Sequence, residues 1–563
     1  VPALGQVPAI NDHYQEWLER RALTDDQRDR LLADTAALTE PPTLAIVVPL
    51  ACEAVMDALP LVESVREQVY PRWRLVLVVT PETASDVRVW AKDLSLADPR
   101  IVQVRTPAPT DFGEMADAGI AACDEAWLAV LAPGDRLEPD ALAVAALHLG
   151  QHPQTDLLYA DEDKLDPVSG FRWDPFFKPD WSPDLQLSMD YFGSLVFVRR
   201  SLLDRVGGVG AGTPGAEIYD LGLRMAETTE RIGHLPKVVL SRASDLDRVA
   251  RHAREDVPAM AAVRAAVARR RLDATVEAGL QESTWRVRYA LREKPGVTVV
   301  LPTGGKLQFL RPCLDDLLHK TTYPNLHILI LDNSDGDEVA SLVATLEKRH
   351  PNVRRVPVEL KPFNFSALIN RGLDHVDTPY LLLLNDDVTV VTPDWIEAMM
   401  EHAQRPEVGV VGAKLLYPDG TLQHAGVVLG IYDGTAHLFK LYPGDDPGYF
   451  GLPNVVRDYL AVTFACALMR TETLTGIGGL DEEHLPIAFN DVDCCLRVVE
   501  SGKRVVYTPY ATLVHHESVT KTVFAEPSEI GRLRARWGRF IEHDPFYNPN
   551  LTRKAEDASL RMD

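Results

Sequence analysis

The chain of 563 residues, 46% hydrophobic and 25% charged, is long enough for about two to four globular domains with cores of their own. A formal charge of −24 excludes a generally cationic surface and, with it, nucleic acid as a partner. Six cysteines without a C-x-x-C pair exclude a zinc site and a disulfide framework and fit a reducing, cytoplasmic setting. The longest apolar run, at 459–469, falls short of the roughly 20 residues that span a bilayer, which leaves room only for peripheral association with the inner face of the cytoplasmic membrane.

Residues 1–40 carry apolar side chains at helical spacing among charges, predicting an N-terminal helical segment of one or two amphipathic helices. The run TLAIVVPL (43–50) opens a first α/β unit, expected over 41–240. Residues 241–294, rich in Ala and Arg, are predicted to be a helical linker in which Arg269-Arg270-Arg271 form a solvated face. A second α/β unit is expected over 295–540. The polar, proline-containing tail 541–563 is expected to be loosely ordered or to wrap that unit.

The two α/β units are copies of one another. LAIVVPL, a helical stretch, Tyr70-Pro71 and RLVLVV recur as VTVVLPT, a helical stretch, Tyr323-Pro324 and HILILD, with 21 residues from Pro49 to Tyr70 and again from Pro302 to Tyr323. Strands alternating with helices predict βαβ units and a mostly parallel sheet in each copy.

The chemistry is concentrated in the second copy. From Tyr380 a short apolar run ends abruptly in Asn385, Asp386 and Asp387, the pattern of a buried parallel strand with carboxylates at its C-terminal tip. Ligands of open α/β sheets bind beyond such tips. Paired carboxylates there suit a Mg²⁺ or Mn²⁺ that holds phosphate oxygens, although the same letters also make an ordinary turn. HILILD ends in Asp332, a second acidic tip, placed to meet a nucleobase or ribose. In LPIAFNDVDCCLRVVESG, Asn490 and Asp493 fit the N-cap and third position of a helix, which leaves Asp491 without a structural duty and makes it the candidate general base. YTPYATLVHHES ends a strand in His515 and His516, either of which suits a metal.

Together VVLPT, YPNLHILILDNSD, FNFSALINRG, YLLLLNDDV, GTLQHAGVVLG, IGGLDE, NDVDCCLR and YTPYATLVHHES resemble the family 2 glycosyltransferases of the GT-A fold, the bacterial enzymes of O-antigen, capsule and related surface glycans. The resemblance is close over 297 to about 520 and weaker over 40–240. It implies two tandem GT-A (Rossmann-like) domains, a UDP-, dTDP- or GDP-linked sugar as donor, and a glycan or lipid-linked glycan as acceptor. By resemblance, Asp332, Asn370 and Asp386 would bind the donor nucleotide. Asp387 would hold the Mn²⁺ or Mg²⁺ with His515, or less favourably His516, and Asp491 would be the base of an inverting transfer. Trp395, Gln423, His424, Asp493 and His516 would lie on the acceptor side. Asn385 and Asn490 stand where the family usually has acids.

The first copy reads as worn. Val79 stands at the place of Asp332, Ala132-Pro133-Gly134-Asp135 replaces the diacid tip, Ile218 stands at the place of Asp491, and Ser241 stands where such proteins show histidine. A turn is thus made there without the diacid, so Asp386 and Asp387 read as a site. The acidic 159–166 stretch and 177–187 (FKPDWSPDLQL), with Trp181, read as a charged loop, or else as a surface that binds acceptor or clamps the other domain.

Overall fold

The computed structural model describes residues 11, 13–51, 54–107, 111–210, 212–244, 256–516 and 526–563. Two short helices, Tyr14–Arg20 and Asp25–Ala36, precede the first sheet. Its strands are β1 (Leu44–Pro49), β2 (Trp73–Val79), β3 (Ile101–Arg105), β4 (Trp127–Val130), β5 (Arg136–Leu137), β6 (Leu157–Leu165), β7 (Arg172–Phe176), β8 (Val196–Arg199) and β9 (Ile232–Ala243). A hairpin of β10 (Ala274–Ala278) and β11 (Trp285–Tyr289) follows. The second half adds β12 (Val297–Thr303), β13 (Leu326–Asp332), β14 (Val353–Pro357), β15 (Tyr380–Leu384), β16 (Val388–Val390), β17 (Val408–Leu416), β18 (Leu422–His424), β19 (Val427–Leu429), β20 (Thr435–His437), β21 (Arg457–Tyr459), β22 (Cys466–Arg470) and β23 (Arg504–His515).

The duplication extends to the order of the eight strands along each sheet, to which the second half adds β21 beside β23 and the β19–β20 pair. The first sheet runs β3-β2-β1-β4-β8-β6-β9-β5 and the second β14-β13-β12-β15-β22-β17-β23-β16. Corresponding neighbours also keep the same direction: β4 and β15 are parallel to β1 and β12, and antiparallel to β8 and β22. Each sheet is therefore mixed rather than uniformly parallel. The strands β1, β12 and β15 are buried along their whole length, as expected for sheets covered on both faces.

Between the halves the expected helical linker is a helix only over Asp256–Arg269. The antiparallel hairpin β10–β11 follows it, with Trp285 and Tyr289 buried against Tyr219 and Val263. Alternation in TVEA and WRVRY carries the strand signal, which the preceding Ala/Arg-rich helix obscures. Residues 245–255 lie outside the described residues. Arg269 and Arg271 are exposed, as expected of a solvated face, and Arg269 also reaches Asp220 at 3.1 Å and Glu227 at 2.9 Å.

The halves are joined by buried contacts. Phe176 stacks on Phe450 at 4.1 Å, and the Tyr449 hydroxyl donates to the Pro175 carbonyl and accepts from the Phe177 amide, both at 2.7 Å. In the 177–187 stretch, Asp184 is held by Arg405 (2.8 and 2.9 Å) and Arg504 (2.7 Å), Arg504 also binds Asp458 (2.7 Å), and Ser182 donates to Asp458 (2.6 Å). Burial alone would raise the Asp184 carboxyl, but the two guanidiniums outweigh it and hold it below the usual carboxylate range. That stretch is a clamp between halves. The tail does more than wrap the second half, because Asn548 donates to Asp161 and to the Lys178 carbonyl, both at 2.9 Å. Among the described residues no helix is long and apolar enough to cross a membrane.

Candidate active site

The site forms where β15 ends. β16 turns back and pairs antiparallel with the end of β23, Val388 opposite His515, so a residue far along the chain is brought to the acidic tip. His515 Nε2 lies 3.0 Å from Asp387 Oδ1 and 3.1 Å from Asn385 Nδ2, while its Nδ1 meets Gln423 Oε1 at 2.7 Å. Asp387 and His515 are both buried. Burial pushes the Asp387 carboxyl up, but the hydrogen bond and charge of His515 outweigh it and hold it low. Asp386 accepts from the Thr303 hydroxyl at 2.6 Å and is pushed up to about 6, by burial first and the Asp387 charge after it.

Two cavities meet at this tip. One, of about 300 Å³, is lined by Thr303, Lys306, Asn333, Phe363, Asp386 and Asp387 among others. The second, of about 320 Å³, is lined by Gln423, His437, Phe464, Phe489, Asp491 and His515 among others. Asn385 and Phe365 border both. Asp491 is half-buried in the first turn of the helix Asn490–Glu500, its carboxylate accepting from the Val492 amide at 2.9 Å and the Phe464 amide at 3.4 Å.

The donor set fits a divalent cation. His515 Nδ1 faces Gln423 Oε1, and Nε2 lies 3.0 Å from an Asp387 carboxylate oxygen; the protonated ring donates Nε2–H to that oxygen, and the neutral ring offers it a lone pair with room for a cation shared between the two. Two ligands about 2.1 Å from one ion and at right angles to each other stand about 3 Å apart. Among the described residues no three His, Cys, Asp or Glu converge in one cluster. Mg²⁺ is commonly held by one or two carboxylates together with water and the phosphate oxygens of a substrate.

Other expected site residues lie elsewhere. Trp395 is fully buried, its indole N–H donated to Thr321, and belongs to the core, not the acceptor side. His424 is also fully buried, beside His437, and burial first of all pushes its imidazole well below the usual value. Asp493 is sealed between Arg497 (2.7 Å), Arg536 (3.0 Å) and the Trp537 indole (2.8 Å). Nor does Asn490 cap the helix: the N-cap is Phe489 at φ 57°, and Asn490 donates to the Ile487 carbonyl. Asp332 is buried with both oxygens engaged, by Arg355 (2.6 Å) and by Ser334. Asn370 ties its helix to the IGGLDE loop through Leu480 (2.8 and 2.9 Å) and Glu482 (3.0 Å). His516 gives its backbone amide to the Asp387 carbonyl, and its ring faces Thr389. Gln423 does line the cleft, bound to His515.

Lys306, Phe363, His437 and Phe489 border the cavities without having been singled out. Lys306 follows VVLPT, while Phe363 opens FNFSALINRG and Phe489 lies within LPIAFNDVDCCLRVVESG without distinction from their neighbours; His437 carries no local signal.

The model of the family "Glycosyl transferase family 2" matches residues 298–452, the segment that carries β12 to β20 and the acidic tip. The chain is 36% identical over 99% of its length to the O-antigen biosynthesis protein RfbC of Myxococcus xanthus, and 34% identical over 92% of its length to the uncharacterized protein y4gI of Sinorhizobium fredii. It spans 44% and 58% of those relatives, about half of each. Among solved structures, the mannosyltransferase PcManGT of Pyrobaculum calidifontis, in complex with GDP-Man and Mn²⁺, aligns over 44% of this chain and 70% of its own at 16% identity and TM-score 0.31.

Proposed function

We propose that the second half transfers a sugar from a nucleotide-diphosphate donor to a hydroxyl of a growing surface glycan, with inversion at the anomeric carbon. The carrying observation is the meeting of two cavities at Asn385, one holding Asp386, Asp387 and Lys306 and the other holding Asp491. The UDP-, dTDP- or GDP-linked donor occupies the first cavity, with Phe363 and Asn333 toward its base. Asp387 and His515 hold Mn²⁺ or Mg²⁺, which when bound neutralises the diphosphate and eases its departure. Asp491 takes the proton of the acceptor hydroxyl as it attacks from the face opposite the departing diphosphate. The glycan or lipid-linked glycan acceptor lies in the second cavity, against Phe464 and Phe489. The O-antigen relative supports a surface glycan as product.

In this reading the first half, 41–240, is a structural pseudo-enzyme domain. β5 pairs Arg136 with Ser241 where β16 pairs Val388 with His515. Asp135 thus takes the place of Asp387 with no histidine beside it, and Gly134 and Pro133 take the places of Asp386 and Asn385. The test is thermal unfolding of the full chain with Mn²⁺ and UDP, dTDP or GDP. One nucleotide should raise Tm by several degrees only with the metal present; no shift with any of the three would contradict the proposal.

A further inference from the structure

We propose that Gln423 is a positioning residue that fixes the His515 ring for cation binding, not an acceptor-side residue. The inference rests on the assignment of His515 above. Gln423 is 1% exposed and spends both ends of its amide on one partner. Its Oε1 accepts from His515 Nδ1–H at 2.7 Å, and its Nε2 donates to the His515 backbone carbonyl at 3.3 Å. Gripping ring and backbone of the same residue fixes both the rotation of the imidazole and its tautomer, and so aims the Nε2 lone pair at the place shared with Asp387. Metal-ligating histidines depend on such a partner on the other ring nitrogen, and its loss typically weakens metal binding 10- to 100-fold.

The local fold explains how a glutamine reaches this position. β18 turns back on β17 across a register shift at Leu415/Leu416, and β17 runs parallel to β23, so the middle residue of β18 faces the last residue of β23. A neutral amide orients the ring without adding a further negative charge beside Asp386 and Asp387. The worn half supports a functional pairing. There β7 (RWDPF) packs on β6 as β18 packs on β17, yet it carries no amide side chain, and Ser241 replaces the histidine. Histidine and glutamine are absent together where the acidic pair is also broken.

The test is titration of the full chain with Mn²⁺ alone, following the electron paramagnetic resonance signal of the free ion, with Tm measured in parallel. Wild type should bind one Mn²⁺, and His515→Ala, Gln423→Leu and Gln423→Asn should each bind about 10- to 100-fold more weakly. Gln423→Asn keeps the amide but falls one methylene short, so it serves if the leucine variant does not fold. Gln423→Glu, which can still accept from Nδ1–H, should restore binding. Loss of binding in His515→Ala with wild-type affinity in Gln423→Asn would overturn the inference while leaving the metal assignment intact. Equal binding by wild type and His515→Ala would overturn both.

Discussion

Asp491 and Asp493 lie two positions apart on one helix and do opposite things. Asp493 is fully buried between two guanidiniums and an indole, whereas Asp491 opens onto the cleft. The worn half makes the same distinction: Asp220 and Arg224 keep the bond of Asp493 and Arg497, 2.7 Å in each half, while Ile218 has replaced the twin of Asp491. On the proposal that the first half has lost its chemistry, an acid retained there is structural. Asp491→Asn should therefore cost about 10²- to 10⁴-fold in kcat at unchanged Tm. Asp493→Ala, which leaves the buried Trp537 indole N–H and the half-buried Arg497 without their acceptor, should cost about 1–3 kcal/mol in urea unfolding. Both acids were legible in the sequence, but their roles were not, because Arg536 and Trp537 come from a helix some forty residues on.

Asp135 gives a second test at this scale. It is 5% exposed, with one oxygen unpartnered, and burial pushes it up to about 6 from a usual 3.8. A carboxyl whose folded pKa is raised binds its proton more tightly in the folded state. Its contribution to stability is therefore present at low pH and is lost as pH rises from about 4 to about 6. Asp135→Asn should remove this loss, on the order of 2–3 kcal/mol, and flatten the pH dependence of unfolding over that window. An unchanged profile would show that Asp135 is not strained by burial.

At the scale of elements, the repeat was legible because strands covered on both faces must be continuously apolar, and the spacing between them survives when the chemistry does not. The diacid tip was legible for the same reason: β15 is wholly buried up to Asn385, so the polar change at its end is abrupt. Partners across the sheet were not legible. Asp332 reads as a free strand tip until β14 lies beside it and supplies Arg355. Trp395, set on the acceptor side by resemblance alone, is core because its helix packs on the sheet with β17 and β23 beneath it. Trp395→Ala should cost about 3–5 kcal/mol, as removal of a large buried ring does, with residual folded enzyme retaining its kcat; a kcat loss at normal stability would return Trp395 to the site.

At the scale of the molecule, the two halves form one unit. In the Asp184, Arg405, Arg504 and Asp458 cluster the carboxylates are buried and the guanidiniums half-buried, and removing one carboxylate leaves the remaining charges unbalanced. Asp184→Ala should cost about 3–5 kcal/mol and split a single calorimetric transition into two. The clamp gives a first half without chemistry, as proposed, a reason to persist, since that half packs on the second and receives the tail through Asn548. The account's central claim is one active site, in the second half. Its most direct test is transfer by the full chain, with the nucleotide sugar that the unfolding screen selects, in Asp387→Ala, Asp491→Asn and Asp135→Asn. The first two should lose transfer with Tm intact, and the third should keep it. Transfer persisting in Asp387→Ala, or lost in a folded Asp135→Asn, would contradict the account.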